Sequence, residues 1–150
     1  MGVVKRLFIS AASVMPLGHN NPGVAVVATL AQTDDREVVR FMIMRGVGYV
    51  HGVMAVVAAA IRGLADGQSL DVFTDVYYVR EKVGTERAHR RNDALAALEH
   101  EVLQAVKSDK VRVIRTLSDE EWSSVKELHS MARAELERLR PGQRVYPDRG

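Results

Sequence analysis

The chain has 150 residues, of which 47% are hydrophobic and 27% charged, so it can form one domain with a sizeable core. This balance excludes a disordered chain, and the absence of cysteine excludes disulfides, thiolate metal sites and a cysteine nucleophile. The formal net charge is +2, because 21 basic residues nearly cancel 19 acidic ones. Contact with nucleic acid is therefore permitted but not required.

The longest apolar stretch, Val53 to Ile61, is much shorter than the roughly 20 residues of a membrane-spanning helix. The N-terminal residues have no signal-peptide pattern. We therefore expect a cytoplasmic protein without a membrane partner.

The first part of the chain predicts three antiparallel strands. Val3 to Ser10 mixes β-branched and aromatic residues, and Val24 to Gln32 is apolar on both faces, as in a buried strand. A polar turn at residues 33–36 then leads into a third strand, Glu37 to Met44. Residues 16–23 are rich in Pro, Gly and Asn, which predicts a loop between the first two strands.

Helices and strands alternate next. Apolar residues at spacings of three and four predict a helix over Tyr49 to Ala65, and Asp66-Gly67 ends it. Ser69 to Thr74 predicts a fourth strand, and Tyr77 to Lys82 a short helix. Asn92 to Val106 has the periodicity of another helix.

The last part predicts a strand and a long helix. Val111 to Arg115 is the fifth strand. Ser118 and Glu121 form a capping-box pattern for a helix that runs to about Arg140. Trp122 in its first turn is predicted to be a core residue, with an exposed anchor for a partner as the alternative. We expect one domain over residues 1–140 and a mobile polar tail over 141–150.

Specific residues in this order resemble type 1 ribonuclease H. Val72 to Arg80 is similar to that family's fourth strand and turn, where a metal-binding Asp precedes a Tyr-Val pair. Asn21-Pro22-Gly23 resembles its first loop, Met54 to Ala58 its central helix, and Leu128 to Arg133 its final helix. The resemblance covers roughly residues 4 to 138. It implies the ribonuclease H-like α/β fold, a five-stranded mixed sheet with three antiparallel strands, then parallel strands, and helices on both faces.

The resemblance also implies where the catalytic acids would stand. The family holds two divalent cations in a carboxylate cluster to cleave RNA in RNA–DNA hybrids. The corresponding positions here are Ser10, Gly52, Asp75 and His129, so one acid of four remains. Because Mg²⁺ requires charged oxygen ligands, we expect a vestigial site around Asp75 with no metal and no cofactor.

Two other arrangements use the same residues. Asp75 and His129, together with His51, could hold one zinc or manganese ion. Ser10, Asp75 and His129 could form a nucleophilic triad, but the chain has no Gly-x-Ser-x-Gly elbow.

Nucleic-acid contacts are predicted at two places. Asn20 and Asn21 lie in the first loop, and Arg87, Arg90 and Arg91 belong to the densest basic run, where many members of the family carry a basic protrusion. The expected partner is an RNA–DNA hybrid, RNA, or a protein. The leading hypothesis is a catalytically degenerate domain that acts by binding. The alternatives are a metal-dependent ribonuclease that uses Mg²⁺ or Mn²⁺ in a rearranged site, and a structural or assembly protein.

Overall fold

The protein is described by a computed structural model over residues 2–14, 25–33, 38–83 and 93–147. The described strands and α-helices are β1 (Val3–Val14), β2 (Val26–Gln32), β3 (Val38–Arg45), α1 (Tyr49–Arg62), β4 (Gln68–Thr74), α2 (Asp93–Lys107), β5 (Val111–Val113) and α3 (Asp119–Leu139). A short π-helix, Val79–Val83, follows β4, where the sequence predicted a helix over Tyr77 to Lys82.

The strands form one mixed sheet in the order β3-β2-β1-β4-β5. The pairs β1–β2 and β2–β3 are antiparallel, while β1–β4 and β4–β5 are parallel. Consecutive strands with short connections make the antiparallel part, and crossovers that contain helices make the parallel part. The predicted five-stranded mixed sheet is therefore confirmed.

Alternation along β1 sends side chains to two cores, one on each face of the sheet. Ile9 and Ala11 face the core formed with α1 and α2, whereas Phe8 and Ala12 face the core formed with α3. We call these the α1 face and the α3 face. The helices that cover them differ, because α1 is uncharged up to Arg62 whereas α3 is amphipathic and strongly charged outside.

The long helix α3 begins as predicted. The Ser118 side chain accepts a hydrogen bond from the backbone N–H of Glu121, and the Glu121 carboxylate accepts one from the N–H of Ser118. Trp122 is only partly buried and packs against the α3-face core, whereas the sequence predicted a core residue.

The segment after α3 lies against the sheet. Tyr146 pairs with Ser13 through two backbone hydrogen bonds of 2.6 and 2.7 Å, on β1 beyond the level where β4 ends. Val145 is buried in the α3-face core. Where the sequence predicted a mobile polar tail over 141–150, this apolar side chain and the bridge therefore attach residues 145 and 146 to the sheet.

The described part of the chain contains no helix that is both long and apolar enough to span a membrane.

Candidate functional site

The parallel register of β1 and β4 brings Ser10 and Asp75 together. Ile9 pairs with Thr74 in the last matched position of the two strands, so the next residues stand side by side. The Ser10 hydroxyl donates a 2.7 Å hydrogen bond to Oδ1 of Asp75. The chain leaves the sheet directly afterwards, where the Thr74 hydroxyl accepts a hydrogen bond from the N–H of Val76.

Helix α3 adds His129 to this pair. Val125, Leu128 and Ala132 form the stripe that packs on the sheet, and His129 lies beside it on the buried side of the helix. Nδ1 of His129 is 3.9 Å from Oδ2 of Asp75. The relative exposure is 0% for Ser10, 1% for Asp75 and 3% for His129, so the cluster is closed to solvent.

Gly52 is not part of this cluster. It lies on α1 and approaches Thr29 and Val27 of β2, whose side chains point to the α1 face. A Cβ at Gly52 would lie 2.3 Å from Oγ1 of Thr29 and 3.2 Å from Cγ2 of Val27. The structure therefore separates the four positions that the resemblance grouped, with three on the α3 face and one tightly packed on the opposite face.

Asp71, Glu127 and His51, the other groups that the sequence offered, lie apart from Asp75. Asp71 forms an ion pair with Arg112 at 2.8 Å, and Glu127 is exposed on α3. His51 is half-buried on α1, where burial lowers its pKa below the ordinary value. Within the described ranges, no three His, Asp or Glu side chains come together as a group that could hold a metal ion.

This donor set does not fit the pair of hard cations that the fold family uses. Two Mg²⁺ ions require several oxygen ligands that carry negative charge, and here one buried carboxylate stands beside a hydroxyl and an imidazole. The geometry also differs from a nucleophilic triad. In a triad the imidazole takes the proton of the serine, whereas the Ser10 hydroxyl donates to the carboxylate of Asp75.

The residues predicted to contact nucleic acid, Asn20, Asn21, Arg87, Arg90 and Arg91, lie outside the described residues.

The structure also reveals a buried polar pair that sequence reasoning missed. Glu99 of α2 is 3% exposed, and its Oε1 accepts a 2.7 Å hydrogen bond from the hydroxyl of Tyr78. The signal was present, because Glu99 lies between Leu95 and Val102 at spacings of four and three, on the stripe that packs inward.

Comparisons with solved structures support the fold. LC11-RNase H1, isolated from compost by a metagenomic approach, is 10% identical, and the match covers 91% of this chain and 99% of that one with a TM-score of 0.55. The RNase H domain of PFV is 11% identical over 90% and 97% of the two chains, with a TM-score of 0.52. The protease-reverse transcriptase of Prototype Foamy Virus matches at 10% identity and a TM-score of 0.54, over 87% of this chain and 20% of that one.

At such low identity the likeness concerns the fold alone. No family model matches the chain, and no curated protein matches it. The chain thus has the RNase H-like fold, as its sequence predicted.

Proposed function

We propose that this chain is a non-cleaving domain of the RNase H-like fold that acts by binding nucleic acid. The observation that carries the proposal is the buried cluster of Ser10, Asp75 and His129, which stands where the resemblance places metal-binding acids. A hydroxyl and an imidazole replace two carboxylates there. A glycine packed against Thr29 replaces a third on the other face.

Electrostatics gives the reason why this cluster is stable without metal. Several carboxylates in one place repel each other unless cations neutralise them. Here a single carboxylate accepts a hydrogen bond from Ser10 and lies near an imidazole, so neither Ser10 nor His129 adds the repulsion that a further carboxylate would bring. Burial has a second consequence, because a phosphodiester cannot reach Asp75 unless the side chains around it move.

Nucleic acid is the favoured partner for two reasons. Two of the solved structures that share this fold bear the name RNase H, and we infer from that name that an RNA–DNA hybrid or RNA is the ligand class of this chain. The pI of about 9.1 and the basic run with Arg87, Arg90 and Arg91 supply cations for phosphate contacts. The expected compartment is the cytoplasm, in keeping with the absence of cysteine.

A second candidate is a metal-dependent ribonuclease with a rearranged site. One observation favours it, since Asp75 keeps its place beside His129 at 3.9 Å. Mg²⁺ or Mn²⁺ would be required only under this alternative.

The test of the proposal is a binding titration with a labelled RNA–DNA hybrid and with RNA at two salt concentrations, about 50 mM and 200 mM. We expect binding that weakens at least tenfold at the higher salt, and further weakening when Arg90 and Arg91 are both replaced by Glu. The absence of binding to either ligand would overturn the proposal and favour a protein partner or a structural role. Unchanged affinity in the double variant would show that the basic run does not contact the nucleic acid.

A further inference from the structure

The outside of α3 carries a surface centred on a tryptophan with two adjacent cations. It consists of Trp122, Arg80, Lys126, Asp119 and Ser123, and we call it the Trp122 surface. We propose that it binds a single-stranded nucleic acid, with one unpaired base stacked on the indole and a phosphate beside Arg80 and Lys126. This inference rests on the proposed function and locates its nucleic-acid binding site at this surface.

Two separate elements build the surface. Trp122 lies in the first turn of α3, and Lys126 follows one turn later on the same side, with its Nζ 6.0 Å from the ring centroid. Arg80 comes from the π-helix after β4, and its Cζ is 5.0 Å from the same centroid. The indole is thus held between a helix and an irregular turn, and cations flank its π system.

The two cations are not neutralised by the described part of the chain. Neither Arg80 nor Lys126 forms an ion pair with a described carboxylate, and Lys126 is exposed. Nη1 of Arg80 makes one long hydrogen bond of 3.4 Å to the carbonyl of Arg115. Arg115 itself pairs with Glu81 at 2.7 Å, whereas no carboxylate of the described residues pairs with Arg80. Among these residues, the positive charge of Arg80 and Lys126 therefore faces the ring without an acidic partner.

The shape of the surface admits a base and a phosphate. An open depression of about 540 Å³ is lined by Asp119, Trp122, Ser123 and Lys126. This volume is within the range of roughly 300–1,000 Å³ that small ligands occupy in proteins. Asp119 is the acidic group of the lining, and its repulsion directs a phosphate towards the side of Arg80 and Lys126.

An aromatic ring with adjacent uncompensated cations is the combination that recognises single strands. Every base presents a π-face, so stacking requires no particular base sequence, and the cations follow the backbone phosphates. A paired duplex keeps its internal bases in its own stack, so it offers far fewer free base faces to the indole than a single strand does. The surface is therefore expected to prefer an unpaired segment to a duplex.

The experiment uses the full chain and one oligonucleotide of about 12 nucleotides, offered as a single strand and as a blunt duplex. Two signals are followed in parallel. Anisotropy of a label on the oligonucleotide reports binding anywhere on the protein. The fluorescence of Trp122, the only tryptophan of the chain, reports contact at this surface when unlabelled oligonucleotide is added.

We expect the single strand to quench Trp122 with the same midpoint as the anisotropy change, and the duplex to leave the emission unchanged. Arg80→Gln and Lys126→Gln should each weaken binding of the single strand several-fold. Lys110→Gln, which removes one exposed charge beside β5, is the matched control and should bind as the unaltered protein does. Trp122→Ala should weaken binding roughly tenfold or more, and Trp122→Phe should restore much of it because a ring remains.

Three results would overturn the inference. Anisotropy without any change in Trp122 emission would place the ligand elsewhere and leave the proposed function intact. Equal quenching by the duplex would exclude stacking of an unpaired base. No anisotropy change with either form, or with the hybrid and RNA of the earlier titration, would refute the proposed function together with this inference.

Discussion

The two faces of the sheet differ at the positions where the resemblance places acids. On the α3 face, Ser10, Asp75 and His129 keep a polar character: the Ser10 hydroxyl donates a hydrogen bond to Asp75, and Nδ1 of His129 lies 3.9 Å from Oδ2 of Asp75. On the α1 face, Gly52 leaves no space at all, because Thr29 occupies the place where a side chain would begin. One face holds a buried polar cluster at these positions, and the other is closed by packing.

The two faces therefore differ in how readily they would accept acidic side chains at these positions. The α3 face holds a buried polar cluster, in which a small number of substitutions could introduce further carboxylates. Close packing on the α1 face is harder to reverse, since interiors are dense and the helix would have to move away from β2. Substitutions on the two faces should therefore differ in their cost.

The largest effect is expected for Gly52→Glu on the α1 face. The new Cβ would overlap Oγ1 of Thr29, and a carboxylate would be buried without a partner. We expect the free energy of unfolding to fall by about 4 kcal/mol, measured by urea denaturation. Gly52→Ala should cost less, and Thr29→Ala should reduce that cost further in the double variant. Additive effects of the two changes would contradict the close contact between α1 and β2.

The next effect concerns the cluster on the α3 face. Asp75→Ala would leave the Ser10 hydroxyl and the His129 imidazole buried without their shared carboxylate. We expect a loss of about 3 kcal/mol in the free energy of unfolding. Asp75→Asn should be milder, because the amide oxygen still accepts from Ser10. Denaturation that is insensitive to Asp75→Ala would mean that the cluster is open to water rather than buried.

A smaller effect is expected where the C-terminal segment attaches to the α3 face. Val145→Asp would place a charge in that core and should lower the free energy of unfolding by about 2 kcal/mol. The amide of Ser13, which donates to the carbonyl of Tyr146, should then exchange its hydrogen faster. Lys110→Gln, at an exposed residue outside this segment, is the control. Unchanged hydrogen exchange at the Ser13 amide would show that the bridge does not depend on the burial of Val145.

The smallest effect is a pH dependence from His51 on the α1 face. Burial lowers its pKa in the folded state below the ordinary 6.5, so the unfolded chain takes up a proton first as the pH falls. The contribution of His51 is complete above pH 6.5 and is lost as the pH drops from there through the folded-state pKa. The difference in Tm between about pH 8 and about pH 5 should shrink slightly in His51→Gln. A larger difference in Tm in His51→Gln would contradict the expected sign of the His51 contribution.

Much of the fold could be predicted because hydrophobic periodicity determines it. The order of strands and helices, the helix start at Ser118 and the mixed sheet follow from alternation, spacing and capping. The extension of β1 to Val14 was missed, because Ala11 to Val14 become a strand only through pairing with β2. Val145 is a lone apolar residue in a polar segment, and no local pattern shows that it is buried.

The candidate site was predictable to a similar extent. The resemblance correctly brought Ser10, Asp75 and His129 together, since register and helix phase fix their neighbourhood. It did not foresee that Gly52 lies on the opposite face against Thr29. The distance between a helix and the sheet on which it packs depends on the volumes of the side chains on both elements. That distance cannot be predicted from a single sequence.

The central claim, that the Asp75 cluster does not cleave, is tested most directly by incubating a labelled RNA–DNA hybrid with the protein in Mg²⁺ or Mn²⁺. The account predicts an intact RNA strand with either ion, and identical results for the unaltered chain and Asp75→Asn. Metal-dependent cleavage that disappears in Asp75→Asn would contradict it and establish that this carboxylate serves a working nuclease.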